Sequence, residues 1–165
     1  MKQLVLMRHA KATKEFDGSD YDRSLVERGK NDANSMGELL KKSKYSPEFI
    51  VSSPAKRALK TALIVNKILG LKPSQMELDT HIYEAELNDL LHVIRSINDR
   101  YKKVMLVGHN PSMTSLVGYL TPTFVEQIPT SGIVIVEFET ETWKMIQQQS
   151  GKIVWSQSPH KLSSL

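Results

Sequence analysis

Three stretches of this chain run from apolar residues straight into groups that can handle an anion. Leu4-Val5-Leu6-Met7 leads into Arg8-His9. Phe49-Ile50-Val51-Ser52 leads into Ser53-Pro54 and then Arg57. Lys103-Val104-Met105-Leu106-Val107-Gly108 leads into His109-Asn110-Pro111. Arginine offers fixed donors matched to phosphate oxygens. A neutral imidazole is a good nucleophile toward phosphorus, and nearby arginines push a histidine toward that neutral form. The same cations offset the charge on the equatorial oxygens of a transferring phosphoryl group. At an effective dielectric near 20, each close opposite pair contributes about 4 kcal/mol before desolvation is subtracted.

The elements that must carry these residues follow from periodicity. An apolar run of this kind reads as a strand buried on both faces. Such a strand cannot keep Arg8 and His9 in the core without partners, so it is expected to end at Met7 with both emerging at its carboxyl end. Open α/β sheets gather ligand sites at those ends. Ser24-Leu25-Val26-Glu27 has capping-box spacing and predicts a helix to about Lys42, burying Ala33, Met36, Leu39 and Leu40. Ser53 at the N-cap and Pro54 behind it predict a second helix, with Ala58, Leu59, Ala62, Val65, Ile68 and Leu69 inward and Gly70 past its end. Gln75 to Leu78 reads as a weaker strand and Asn88 to Ile97 as an amphipathic helix. Ser112 is placed to cap a helix that buries Met113, Leu116, Val117 and Leu120. Gly132 to Glu139 and Lys152 to Ser156 read as closing strands that could run antiparallel. Trp143 to Ile146 fits a helical turn or a strand, and the tail from Pro159 reads as surface coil.

Strands alternating with helices predict a single α/β domain over residues 1–165: a three-layer α/β/α sandwich with a mostly parallel central sheet. If the strands are parallel, the three junctions lie on one sheet edge. Two arginines, two histidines and two helix N-termini then converge there, an arrangement that attracts a phosphate. The polar stretches 10–23, 79–87 and 121–131 are the segments that would roof it.

Composition narrows the function further. The 165 residues contain no cysteine, which excludes a disulfide framework, a thiolate metal site and a cysteine nucleophile. The apolar core after Lys2 stops at Arg8, too short for a signal peptide, and no run of about 18 apolar residues suggests a membrane span. A cytoplasmic, soluble protein without a membrane role is expected. The formal charge of +4 is mildly basic, and the lysines are scattered rather than gathered on a basic helix, so nucleic acid is not an expected partner. No metal or cofactor is expected either. Asp89 and His92 are only two candidate ligands, and cations dominate the proposed edge. Ser53 and Ser112 read as caps, and His81, His92 and His160 as ordinary surface or half-buried residues. Lys11, Lys14, Lys56 and Lys60 read as solvated charge or as modest steering groups for an anion.

The same residues carry a family resemblance. Arg8-His9-Ala10, then Ser52-Ser53-Pro54-x-x-Arg57-Ala58-x-x-Thr61-Ala62, then Val107-Gly108-His109-Asn110-Pro111 resemble the histidine phosphatase superfamily, with its phosphoglycerate mutase-like fold. Within it the chain is similar to the small SixA-like phosphohistidine phosphatases. The likeness extends over Leu25-x-x-x-Gly29 and the Trp143…Gly151…Pro159-x-x-Leu162 ending. The resemblance implies His9 as the nucleophile that becomes phosphorylated. It implies Arg8, Arg57 and His109 as phosphoryl ligands, with His109 also stabilising the transition state. Glu84, in Tyr83-Glu84-Ala85, falls where many members keep a proton donor and is the candidate general acid/base. Ala10 departs from the glycine that many members carry after the histidine, a change SixA-like chains tolerate.

The expected activity is that of a metal-independent phosphatase acting through a phosphohistidine enzyme. Short roofing segments leave a shallow, open site, which suits a phosphoprotein substrate, phosphohistidine first. A small phosphomonoester is the enzymatic alternative, and a non-catalytic phosphate-binding module is the alternative of another class. A monomer or weak dimer is expected.

Overall fold

Leu4 and Leu6 face one side of the sheet while Val5 and Met7 face the other, and all four are fully buried. That two-sided burial is why the first strand reads as an unbroken apolar run. The computed structural model of the chain describes residues 1–14 and 17–163. Residues 15 and 16 of the expected 10–23 loop, and 164 and 165 of the tail, lie outside the described residues.

The strands are β1 (Lys2–Arg8), β2 (Phe49–Ser52), β3 (Met76–Leu78), β4 (Lys103–Gly108), β5 (Ile133–Phe138) and β6 (Gly151–Gln157). The helices are α1 (Glu27–Lys42), α2 (Lys56–Leu69), α3 (Leu87–Arg95), α4 (Ser112–Leu120) and α5 (Pro159–Ser163). Sheet order is β3-β2-β4-β1-β5-β6. The pairs β3/β2, β2/β4 and β4/β1 are parallel, and β5 and β6 close the sheet antiparallel. Met36 and Leu40 of α1 join Ala58, Ala62 and Val65 of α2 on the Val5/Met7 face. Leu90 and Ile94 of α3 join Met113, Leu116 and Val117 of α4 on the Leu4/Leu6 face. The expected three-layer α/β/α sandwich is the architecture present.

Several local expectations are corrected. β1 continues one residue past Met7, because Arg8 still pairs with Gly108. The capping box at Ser24 does not form. Leu25 bridges to Ala12 and the Val26 N–H donates to the Lys11 carbonyl at 3.0 Å, so the chain stays extended and α1 starts at Glu27. Gly29 permits that approach, since a Cβ there would overlap the Lys11 carbonyl oxygen. Leu39 is only half-buried. Ser53 is not the cap of α2. Its N–H donates to the Val107 carbonyl at 3.0 Å, which delays the helix to Lys56 with Ala55 before it. Pro111, not Ser112, precedes α4, and the Ser112 hydroxyl donates to the His109 carbonyl at 3.0 Å. Trp143–Met145 is a 3-10 turn whose fully buried Trp143 donates from Nε1 to the Tyr101 carbonyl at 2.9 Å. Pro159–Ser163 is a helix rather than coil, with Leu162 packed on the α1/α2 face.

Candidate active site

Adjacent parallel strands set the first geometry. β1, β4 and β2 are neighbours, and hydrogen bonds continue past their last residues. The His9 N–H donates to the Gly108 carbonyl at 3.0 Å, just as Ser53 donates to Val107 on the next strand. The three junctions read from the sequence therefore sit side by side. The His9 and His109 ring centroids are 5.2 Å apart, and both residues are buried.

Each histidine is oriented by one neighbour. His9 Nδ1 lies 2.8 Å from the Ala10 carbonyl oxygen. That oxygen can only accept, so Nδ1 carries the hydrogen and Nε2 keeps its lone pair. The Ala10 N–H donates to Thr61 Oγ1 at 2.9 Å, and the Thr61 hydroxyl donates to the Arg57 carbonyl at 2.7 Å. One residue of α2 thus ties the nucleophile candidate's junction to the helix bearing Arg57. The Ala10 methyl has a place of its own, packed with Ala12, Leu25 and Ala33. His109 Nε2 lies 2.7 Å from Ser53 Oγ, which also accepts from the Ala55 N–H at 3.2 Å. His109 Nδ1 is buried without a hydrogen-bond partner among the described residues.

The arginines come from opposite sides. Arg8 Nη1 donates to the Ile128 carbonyl at 3.0 Å, and that carbonyl also accepts from Asn110 Nδ2 at 2.8 Å. The Ile128 N–H donates to Thr114 Oγ1 at 3.1 Å, so the 121–131 connection is tied to the β4 junction and to α4. Arg57 donates through Nη1 to the Asp20 carbonyl and through Nη2 to the Asp20 carboxylate. The Nε atoms of Arg8 and Arg57 are buried and unpartnered among the described residues. Buried donors of this kind are costly to leave unmatched. Two guanidinium Nε–H groups and His109 Nδ1, each buried and unmatched, are groups of the kind that an oxyanion satisfies.

Electrostatics agree with the geometry. Burial, with the nearby Arg57, Arg8 and Arg23, lowers His9 to about 4 despite the opposing Ala10 hydrogen bond. Burial, then His9 and Arg57, lowers His109 to about 3. Both imidazoles are neutral near pH 7. Burial and Arg57 likewise lower Arg8.

Sequence reasoning missed Asp20 and Tyr83. The Asp20 carboxylate accepts from Arg57, from Arg23 Nη1 at 3.0 Å and from the Tyr83 hydroxyl at 2.8 Å. Partial burial would raise its pKa, but these three donors outweigh that and hold it at about 2. Burial and the Asp20 hydrogen bond raise Tyr83 to about 12. The Tyr83 ring stands edge-on to His109, with centroids 5.7 Å apart. Glu84 follows Tyr83 with φ 54°, a left-handed conformation that costs an L-residue about 1 kcal/mol. Its side chain is exposed, and among the described residues its carboxylate hydrogen-bonds to none of the site groups. Each expected roofing segment contributes: Asp20 from 10–23, Tyr83 from 79–87 and Ile128 from 121–131. His81 is exposed and its Nδ1 lies 2.7 Å from Asp79, away from the paired histidines in the hydrogen-bond network. Among the described residues, no three His, Asp or Glu side chains form a group able to hold a metal ion.

The lysines expected around the site divide. Lys11 and Lys14 line a groove of about 310 Å³ with Arg8, whereas Lys56 and Lys60 line a separate one with Leu59 and Leu63. A larger cavity of about 520 Å³ runs between the 121–131 connection and β6, and neither histidine of the pair lines it.

The model of the histidine phosphatase superfamily (branch 1) matches residues 4–90. The chain belongs to the histidine phosphatase superfamily. It is similar to the protein histidine phosphatase SixA solved with tungstate: 27% identity, 97% of this chain and 99% of that one, TM-score 0.82. It is also similar to a structure assigned as a phosphohistidine phosphatase SixA from Agrobacterium tumefaciens, at 25% identity, 96% and 98% coverage and TM-score 0.79. A Mycobacterium leprae protein, ML1117, is 25% identical over 90% of this chain and 96% of its own length. This histidine phosphatase superfamily member is thus a phosphatase by family, with a SixA-like fold. Among the described residues, no helix is long and apolar enough to cross a membrane.

Proposed function

We propose that this chain works as a single-domain phosphatase that forms a phosphohistidine on His9 and acts on phosphohistidine carried by a protein. The observation that carries the reading is the His9 tautomer: Nδ1–H bound to the Ala10 carbonyl leaves a neutral Nε2 lone pair, with His109 alongside and the buried Nε groups of Arg8 and Arg57 unmatched.

In the proposed reaction Arg8, Arg57 and His109 bind the phosphoryl oxygens. His9 Nε2 attacks phosphorus and the bond from phosphorus to the substrate nitrogen breaks. The departing imidazole takes a proton, and Glu84, next in the chain to Tyr83, is the proposed donor. Water, losing a proton to the Glu84 carboxylate, then attacks the phosphorus on His9, the P–N bond breaks, and inorganic phosphate leaves. For His109 to donate from Nδ1, its Nε2 must accept, and the Ser53 hydroxyl supplies that hydrogen.

A protein substrate is favoured by the short roofing segments and by similarity to a protein histidine phosphatase whose structure holds tungstate, a tetrahedral oxyanion. The proposal includes a cytoplasmic setting and a monomer or weak dimer.

The test is to mix purified protein with a protein phosphorylated on histidine, in the presence of chelator, and to quench within milliseconds. An acid-labile, base-stable phosphoenzyme that maps to His9 and is lost in His9→Ala is the expected result. Undiminished turnover by His9→Ala would overturn the nucleophile. Equal inactivity of both proteins on phosphohistidine protein and on a chromogenic phosphomonoester would favour a binding module. Preference for the small ester would move the substrate to phosphomonoesters.

A further inference from the structure

Beside Arg8, the groove of about 310 Å³ is lined by Lys11, Lys14, Arg23, Arg28, Asp32 and Thr130. Five cationic side chains, Arg8 included, face one carboxylate there. Asp32 is the near partner of Arg28, at 3.8 Å. This is a different kind of surface from the other lysine-bearing grooves. Lys56 and Lys60 share theirs with three leucines. Lys44, Lys102 and Lys103 share theirs with Tyr45 and Glu137, beside the first residues of β1 and β4.

The basic groove is held in shape. The Lys11 carbonyl is fixed by the Val26 N–H, and Gly29 lets α1 press against it. That contact brings the Lys11 backbone and the first turn of α1, with Arg28, together. Arg23 is anchored through Nε to the Thr13 carbonyl at 2.6 Å and through Nη1 to Asp20. Arg8 belongs to both places. It is the last residue of β1, directly before His9, and it also lines the groove. The groove that holds Lys11, Lys14 and Arg28 therefore begins at the residue next to His9.

We propose that this groove binds acidic residues flanking the phosphorylated residue of a protein substrate, so that the enzyme reads an acidic context as well as a phosphoryl group. The proposal rests on the phosphatase reading of His9. Long, exposed lysines and an exposed arginine suit a row of carboxylates along a segment, each pair weak and together selective. The attraction is screened by salt, which gives the proposal a signature that apolar docking lacks.

The test uses two peptides bearing a non-hydrolysable phosphohistidine analogue, one with aspartates and glutamates on both sides of it and one with serines and alanines. Binding is followed by fluorescence polarisation at low and high salt. The proteins are wild type and the triple variant Lys11→Gln, Lys14→Gln, Arg28→Gln, which spares every residue placed at phosphorus. Wild type is expected to prefer the acidic peptide about tenfold at low salt and to lose that preference at high salt. The variant should bind both peptides alike while turning over p-nitrophenyl phosphate within twofold of wild type. Equal binding of the two peptides by wild type, or a preference that survives in the variant, overturns the proposal. Preference for a small bisphosphonate over a monophosphonate, without any acidic-peptide preference, would reassign the groove to a small polyanion and also overturn it. Failure of wild type to turn over p-nitrophenyl phosphate or phosphohistidine protein would count instead against the phosphatase reading.

Discussion

Asp20 and Arg57 meet twice: the Asp20 carbonyl oxygen lies 2.7 Å from Arg57 Nη1, and its carboxylate lies 3.0 Å from Nη2. A guanidinium has two bidentate edges. Asp20 takes the end formed by the two Nη atoms, which leaves the side edge with the buried, unpartnered Nε for the proposed phosphoryl oxygen. Asp20 is thus a positioning residue, and its negative charge also tempers the anion affinity of the site. Asp20→Ala should lower kcat about tenfold as Arg57 loses its fixed orientation. It should also make inorganic phosphate a tighter inhibitor, because one nearby negative charge is gone. Steady-state kinetics with phosphate as inhibitor check both directions. Unchanged kcat, or weaker phosphate inhibition, would contradict this role.

The low pKa of His9 fixes the acid side of the pH profile. With the imidazole held at about 4, kcat/KM should stay level from pH 7 down to about 5 and fall only as pH approaches 4. A free histidine would impose a fall near 6.5 instead. The profile should be measured with a substrate whose phosphate does not ionise over that range.

The same burial makes the fold acid-sensitive. His9 at about 4 and His109 at about 3 both lie below the unfolded value of 6.5. Between those values the unfolded chain binds more protons than the folded one, so stability rises with pH. It is therefore fully present above about 6.5 and is lost as pH falls toward 4 and then 3. Urea unfolding at pH 7, 5.5 and 4.5 should show a falling midpoint, and His109→Gln should flatten part of that trend.

Ser53 acts through His109. Removing its hydroxyl leaves His109 Nε2 without the partner 2.7 Å away. Ser53→Ala should lower kcat by about tenfold to a hundredfold with a smaller change in KM, since tautomer control matters most when charge builds at phosphorus. Ser53→Thr should recover part of the loss. Those two variants, compared at several pH values, separate tautomer control from simple packing.

Gly29 is a structural prediction. Its Cβ would overlap backbone atoms of Lys11, which have no rotamer through which to escape. Gly29→Ala should destabilise the protein by about 1–3 kcal/mol, the usual range for overpacking. Thermal melts check this. Gly118, where an added Cβ meets nothing within 4 Å, is the matched control.

How much was readable in advance depends on what held each residue. β1, β2 and β4 announced themselves because strands covered on both faces must be apolar throughout. Their abrupt polar endings then marked Arg8, His9 and His109, and Arg57 just past the second, without further information. The three serines assigned as caps were misread for one reason: cap spacing is a local pattern, and tertiary partners overrode it. Ser24 lies next to a bridge to Ala12, Ser53 bonds to His109, and Ser112 follows a helix start already fixed at Pro111. Asp20 and Tyr83 gave no signal, since a polar loop has no periodicity. Asp20 reaches Arg57 across 37 residues and Tyr83 across 63. The groove beside Arg8 was half visible: Lys11 and Lys14 stood out, but only the folded contact at Gly29 adds Arg28.

β5 runs opposite to β1, and the Ser131 N–H just before it reaches the carbonyls of both Arg8 and His9 at 3.2 Å. The polypeptide therefore passes His9, the proposed nucleophile, while entering a strand, with its upstream end already secured where α4 stops at Leu120. Length can be added between Leu120 and Ile128, whose backbone is held by Arg8, Asn110 and Thr114, without shifting a single rung of the ladder. Evolution, or an engineer, has in that short span a place to rebuild the mouth of the cleft for bulkier or smaller guests while the phosphorus chemistry stays as it is.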